Sequence, residues 1–170
     1  KPENLFLTQR DDGSPRLKLL DFGIAKVVAQ SANLNTTRSF GTPLYMSVEQ
    51  LSGLKDIDAR ADVYAFGVVL YLAVTGAPPF EAETFAMLMA KIMTELPRDP
   101  QELRPEVPTA LARLVMKALE KDRNKRVATL DDFIRELEPF ATEQGFRAKM
   151  TPGGAELSPV RAPDWRTAET

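Results

Sequence analysis

The sequence predicts an α+β fold, mainly α-helical, with one small β-hairpin at its N-terminal end. Two apolar runs flanking a turn-rich DDGSP predict the hairpin. An apolar run from Val63 to Val74 and three later segments with apolar residues at helical spacing predict the helices. With 170 residues, 44% of them hydrophobic, and both charge signs well mixed, the chain can bury one sizeable core.

Taken in order, Leu5 to Leu7 and Leu17 to Leu20 are the apolar runs, and the Asp, Gly and Pro between them supply turn geometry, so residues 4–20 read as a hairpin. From Phe22 to Ser52 no period survives, and a polar connection of that length is more often functional than idle. The run Val63 to Val74 is shorter than the roughly 18 residues a membrane span needs, and it carries Gly67 and two tyrosines. It reads as a buried helix. Phe85, Leu88, Met89 and Ile92 then share one helical face, as do Leu111, Leu114, Val115, Ala118 and Leu119, and finally Leu130, Phe133, Ile134 and Leu137. Thr129 with Asp132 three residues on starts the last helix as a capping box. Between the first two of these helices, LPRDPQELRPEVP holds four prolines and reads as loop. Residues 141–170 contain six Gly or Pro and no apolar period, the composition of a linker or disordered tail following a domain at 1–140.

Composition narrows the chemistry. No Cys is present, which excludes disulfides and thiolate metal sites, and no His, which removes the commonest general base and zinc ligand. Catalysis would rest on carboxylates, Lys, hydroxyls or a hard cation. A net charge of -2 gives no electrostatic footprint for nucleic acid or an acidic membrane surface, and the polar N-terminus is not a signal peptide. In LLDFG an acidic residue, Asp21, directly follows a strand, with a glycine two places later. Alone this reads equally as a strand-terminating turn. Lys1 and Asn4, however, stand just before the first strand, and closing the hairpin brings both ends together. An amide oxygen, a carboxylate and an ammonium then converge, a set that suits magnesium shared with phosphate oxygens and does not suit zinc.

These residues, in order with later ones, resemble the C-terminal lobe of a eukaryotic-type (Hanks-type) serine/threonine protein kinase. KPEN is similar to the end of the catalytic loop H-R-D-L-K-P-E-N, and DFG to the metal-binding tripeptide. FGTPLYMSVEQ resembles the stretch that ends in A-P-E; DARADVYAFGVVLYLAVTGAPPF resembles the central helix with its T-G-x-P-P-F turn; LEKDRNKRVAT resembles K-D-P-x-x-R-P-x-T. The resemblance covers residues 1–140 and implies a protein-kinase-like C-lobe, a chain that starts just after H-R-D-L as a fragment, and ATP and Mg2+ as cofactors. The implied activity is transfer of the γ-phosphoryl of ATP to Ser or Thr of a protein substrate. By the same resemblance Asn4 and Asp21 are magnesium ligands, Lys1 contacts the transferring phosphate and the incoming hydroxyl, and Thr42 positions Lys1. Thr36, Thr37 and Ser39 are phosphorylation candidates, the alternative being solvated loop hydroxyls. Asp62 fastens the catalytic-loop backbone or is a plain charge at a helix N-terminus. Glu49 and Arg126 pair beneath the activation segment.

VEQ, ARADVYAFG and TGAPPF look most like bacterial members, which implies a cytoplasmic domain. The Met-rich MLMAKIM reads as a packing face or partner surface. Val48, Arg123 and Val127 stand where the family has Pro, which returns backbone freedom without touching a reacting atom. The Gly-rich loop, the phosphate-pairing Lys, its Glu partner and the catalytic Asp all belong upstream of Lys1, so the fragment alone is expected to be inactive. An alternative reading is a catalytically dead kinase-like module that binds partners through its helical face.

Overall fold

A computed structural model of the chain describes residues 1–20 and 43–140. After a short 3-10 turn at Pro2–Asn4, strands β1 (Leu5–Gln9) and β2 (Pro15–Leu19) form an antiparallel hairpin in which Leu5 faces Leu19 and Leu7 faces Leu17. The turn closes because Gly13 takes φ 78° and donates to the Arg10 carbonyl, while the Asp12 carboxylate accepts from the Ser14 N–H at 2.9 Å. Pro15 opens β2, where a missing N–H does least harm.

Among the described residues six α-helices follow: α1 (Val48–Leu51), α2 (Arg60–Thr75), α3 (Phe85–Thr94), α4 (Pro100–Leu103), α5 (Thr109–Ala118) and α6 (Leu130–Leu137). Helix α2 is the hub. One of its faces sends Tyr64, Val68 and Tyr71 into a cluster with Phe80, Ile92, Val115 and Leu119. The other packs Val63 with Leu114, Ala118, Val127 and Phe133. Gly67 lets α2 and α5 approach closely, since a Cβ there would lie 2.7 Å from the Ala118 Cβ. Helix α2 stops at Gly76, whose φ of 77° lets its N–H turn back to the Leu72 carbonyl. The following turn is tied down by Arg104 Nε, which donates to the Thr75 carbonyl at 3.3 Å. No helix among the described residues is long and apolar enough to cross a membrane.

Two expectations need correction, and one face proves only partly covered. The proline-rich segment is not all loop: α4 forms inside it, because Asp99 caps the Gln101 N–H at 2.8 Å and Pro100 occupies the first helical position, where its lack of an N–H is harmless. The aperiodic stretch ending at Ser52 contains a 3-10 turn at Pro43–Tyr45 and the helix α1, which is too short to show a period. Of the four apolar residues of α6, only Phe133 is fully buried; Leu130 and Ile134 are 37% and 53% exposed. Phe133 and Leu137 pack on the second core cluster, whereas Leu130 and Ile134 keep much of their surface in water. Thr129 does cap α6, accepting from the Asp132 N–H at 3.1 Å.

Candidate active site

The base of the hairpin is built by two backbone bonds. The Asn4 N–H donates to the Lys1 carbonyl at 2.9 Å, closing the 3-10 turn, and the Leu20 N–H donates to the Asn4 carbonyl at 2.8 Å. Asn4 is therefore locked against the residue that precedes Asp21 in sequence. Lys1 is exposed and Asn4 half-buried. Asp21, Thr36, Thr37, Ser39 and Thr42 lie outside the described residues.

On the far side of that gap, Pro43 is buried and Tyr45 packs against the core beside Leu44 and Leu51. The Tyr45 hydroxyl is pushed up to about 12, chiefly by burial and further by the negative charge of Glu3. Tyr45 thus feels the 3-10 turn that carries Asn4. The turn at Pro43–Tyr45 and the turn at Pro2–Asn4 are within electrostatic reach of each other.

Glu49 and Arg126, 77 positions apart, form a bidentate pair with N–O distances of 2.6 and 2.8 Å, and their side chains are 5% and 0% exposed. Arg126 uses every donor it has. Nε reaches the Glu120 carbonyl at 2.7 Å, Nη1 the Arg60 carbonyl at 3.0 Å, and Nη2 the Lys121 carbonyl at 3.2 Å, in addition to the two carboxylate bonds. Its guanidinium also lies over the Tyr64 ring, 5.1 Å from the centroid. Burial by itself would raise the Glu49 carboxyl, but hydrogen bonds from Arg126 and from its own backbone N–H outweigh it and hold the group below the usual carboxylate range. Through this pair the start of α1 is anchored to α2 and to the 120–126 loop.

Asp62 sits exposed in the first turn of α2, and its carboxylate makes no hydrogen bond among the described residues. A carboxylate there favours the helix dipole. Among the described residues no group of three or more acidic side chains is gathered that could hold a metal ion.

A model of the protein kinase domain matches residues 1–136. The chain belongs to the protein kinase family. Similar proteins include the serine/threonine-protein kinase Pkn1 of Myxococcus xanthus, 37% identical over 98% of this chain and 25% of Pkn1. The tyrosine-protein kinase MasK of the same species is 39% identical over 92% of this chain and 23% of its own length. The serine/threonine-protein kinase PknB of Mycolicibacterium smegmatis is 35% identical over 76% of the chain and 20% of its length. The chain spans about a quarter of these curated bacterial relatives. Within this kinase domain, the matched region runs from the hairpin to the last turn of α6.

One group of residues escaped the sequence reading. Arg60 clasps the Asp58 carboxylate (Nη2 to Oδ2 2.7 Å) and reaches Asn124 Oδ1 at 2.8 Å, while Arg123 binds the carboxylate and the carbonyl of Asp56. Together they staple the loop that presents Arg126 to the segment leading into α2. The D-x-R of Asp58 and Arg60 was a local signal for half of this staple. The other half joins residues more than sixty positions apart, which spacing cannot show.

Proposed function

We propose that the chain is the helical lobe of a protein kinase that, in the intact protein, transfers the γ-phosphoryl of ATP to Ser or Thr of a protein substrate. The supporting observation is the bond from the Leu20 N–H to the Asn4 carbonyl, which holds Asn4 beside the residue preceding Asp21. The donor chemistry fits magnesium: an amide oxygen and a carboxylate are both hard oxygen ligands, with no nitrogen or sulfur ligand competing. Asn4 and Asp21 would hold the ion, which supplies neutralisation of charge on the transferring group. Lys1 binds a phosphate oxygen and the incoming hydroxyl as a mobile point charge. Thr42 orients Lys1. Phosphate on Thr36, Thr37 or Ser39 orders their loop through charge-assisted bonds to Arg, and the Glu49–Arg126 pair fixes the end of that loop. Asp62 fastens the backbone of the catalytic loop. The reaction takes place in the cytoplasm.

The preference for Ser and Thr rests on Lys1 in KPEN and Thr42 in GTPLY, and it agrees with the names of Pkn1 and PknB, though not with that of MasK. In this reading residues 1–140 make up the lobe and 141–170 a linker or tail. A polypeptide of these 170 residues alone carries no Gly-rich loop, phosphate-pairing Lys or catalytic Asp, and is inactive by itself.

The test is a magnesium-dependent ATP assay on the intact protein with Ser, Thr and Tyr acceptor peptides. Asp21→Ala is expected to abolish nearly all transfer and Asn4→Ala to reduce it less, because one carboxylate remains. Turnover by the Asp21 variant at the wild-type rate would sink the assignment. Transfer confined to the Tyr peptide would overturn the acceptor class, and no transfer by the wild type would favour a partner-binding module.

A further inference from the structure

Helix α6 leaves two features that the packed body does not explain. The first is apolar: Leu130 and Ile134, one helical turn apart, stay exposed while Phe133 beside them is buried. The second is acidic. Asp132 accepts from Arg135 and from the Thr129 hydroxyl, and Glu136 pairs with Lys117. The carboxylates of Asp131 and Glu138, by contrast, make no hydrogen bond or ion pair among the described residues. These two border Ile134, three positions before it and four positions after. Asp131 suits the positive end of the helix dipole, but Glu138 is the C-cap, where a carboxylate is disfavoured. An apolar spot edged by two unpaired carboxylates calls for a cover that is both apolar and basic.

The sequence supplies such a segment directly downstream. A 3-10 turn at Glu138–Phe140 ends the helical run, and residues 146–151 then read FRAKMT. Phe146 and Met150 stand at i and i+4, a spacing that one helical turn places on one side and that matches Leu130 and Ile134. Arg147 and Lys149 lie between them, and no acidic residue occurs between Glu143 and Glu156. Gly145 and Pro152 bound the segment, the residue types that stop a turn of helix on either side. We propose that residues 146–151 fold back antiparallel onto α6, Phe146 covering Ile134 and Met150 covering Leu130, with Arg147 against Glu138 and Lys149 bringing a second positive charge towards Asp131.

Length and area favour this occupant over a separate molecule. Residues 141–145 make a connection of the size that joins antiparallel helices. A stable interface between two proteins needs about 800 Å2 from each partner, which two exposed side chains do not approach. A tethered segment needs far less, because a short link holds it at about millimolar effective concentration. The chain beyond Pro152 then departs from near the start of α6 rather than from its end.

Hydrogen-exchange mass spectrometry on the intact protein, run at two protein concentrations, tests this. The amides of residues 147–151 are expected to exchange about tenfold more slowly than in a free peptide of residues 141–154. Ile134→Asp is expected to remove that protection, and Phe146→Ala to remove it equally, with the amides in the middle of α2 unchanged in both variants. Glu138→Lys should weaken it, and adding Arg147→Glu to Glu138→Lys should restore it. Free-peptide rates in the wild type would overturn the proposal, as would protection that survives Ile134→Asp. Protection that rises with protein concentration would overturn it too, by assigning the cover to a second copy of the chain. Failure of the charge reversal to restore protection would remove the pairing of Arg147 with Glu138.

Discussion

The Glu49–Arg126 pair shows what one buried contact commits the molecule to. All five donors of Arg126 are used, so truncating Glu49 leaves a guanidinium stranded out of water, and truncating Arg126 leaves a buried carboxylate. Either truncation is expected to cost about 3 to 5 kcal/mol, and the double variant less than the sum of the two. Denaturant melts of the full cycle check this; a coupling near zero would refute it. The pH dependence follows from the depressed Glu49 carboxyl. Its contribution is complete above the unfolded value of about 4.3 and is lost as pH falls through the lower folded value, so the double variant should show a flatter acid limb than the wild type.

The proline positions also speak at this scale. Arg123 replaces the rigidity of a ring by cross-linking to Asp56, and Val127 is buried against α6. Val48 is the first residue of α1, after a capping box in which the Ser47 N–H donates to Gln50 Oε1 at 2.9 Å. Ser47 has φ -72° and ψ 163°, a conformation that tolerates a following proline. Val48→Pro is therefore expected to stabilise by about 0.4 to 1 kcal/mol, read as a raised melting temperature.

Among the elements, the crossing of α2 and α5 has the least tolerance. Alanine is the better helix former, so propensity alone says that Gly67→Ala should stabilise α2. Packing says the opposite. The added Cβ would sit 2.7 Å from Ala118 Cβ and 3.3 Å from Leu119 Cδ2, in the middle of both core clusters. Overpacking of this kind costs about 1 to 3 kcal/mol, so the variant should melt earlier, and Ala118→Gly in the same background should recover part of the loss. The long helices were legible because their apolar residues recur over several turns. Helices α1 and α4 were not, since four residues cannot display a period; only their caps, Ser47 with Gln50 and Asp99 before Pro100, signalled them.

For the whole molecule, the contrast is between a packed helical body and a hairpin that keeps its leucines in water. Leu7, Leu17 and Leu19 are 64%, 57% and 53% exposed, whereas Tyr64, Val68 and Val115 are wholly buried. A two-stranded hairpin without a covered face is marginal by itself. In a polypeptide of these 170 residues the amides of β1 and β2 are expected to exchange orders of magnitude faster than those in the middle of α2, and hydrogen-exchange mass spectrometry resolves the two. The same polypeptide is expected to show no phosphoryl transfer above a no-enzyme blank, with the Asp21→Ala variant as the control for contaminating kinases.

By itself the sequence determined the hairpin, the hub helix, the face each long helix turns inward and, through five motifs in order, the kinase family. These are local or linear properties: turn chemistry, period and spacing survive without knowledge of what lies opposite. The tertiary structure alone decided which ends of the apolar stripes are covered, how near α2 and α5 can come, and which carbonyls Arg126 and Lys121 find. Those outcomes depend on surfaces brought together from distant positions, where a few ångströms separate a satisfied donor from a stranded one.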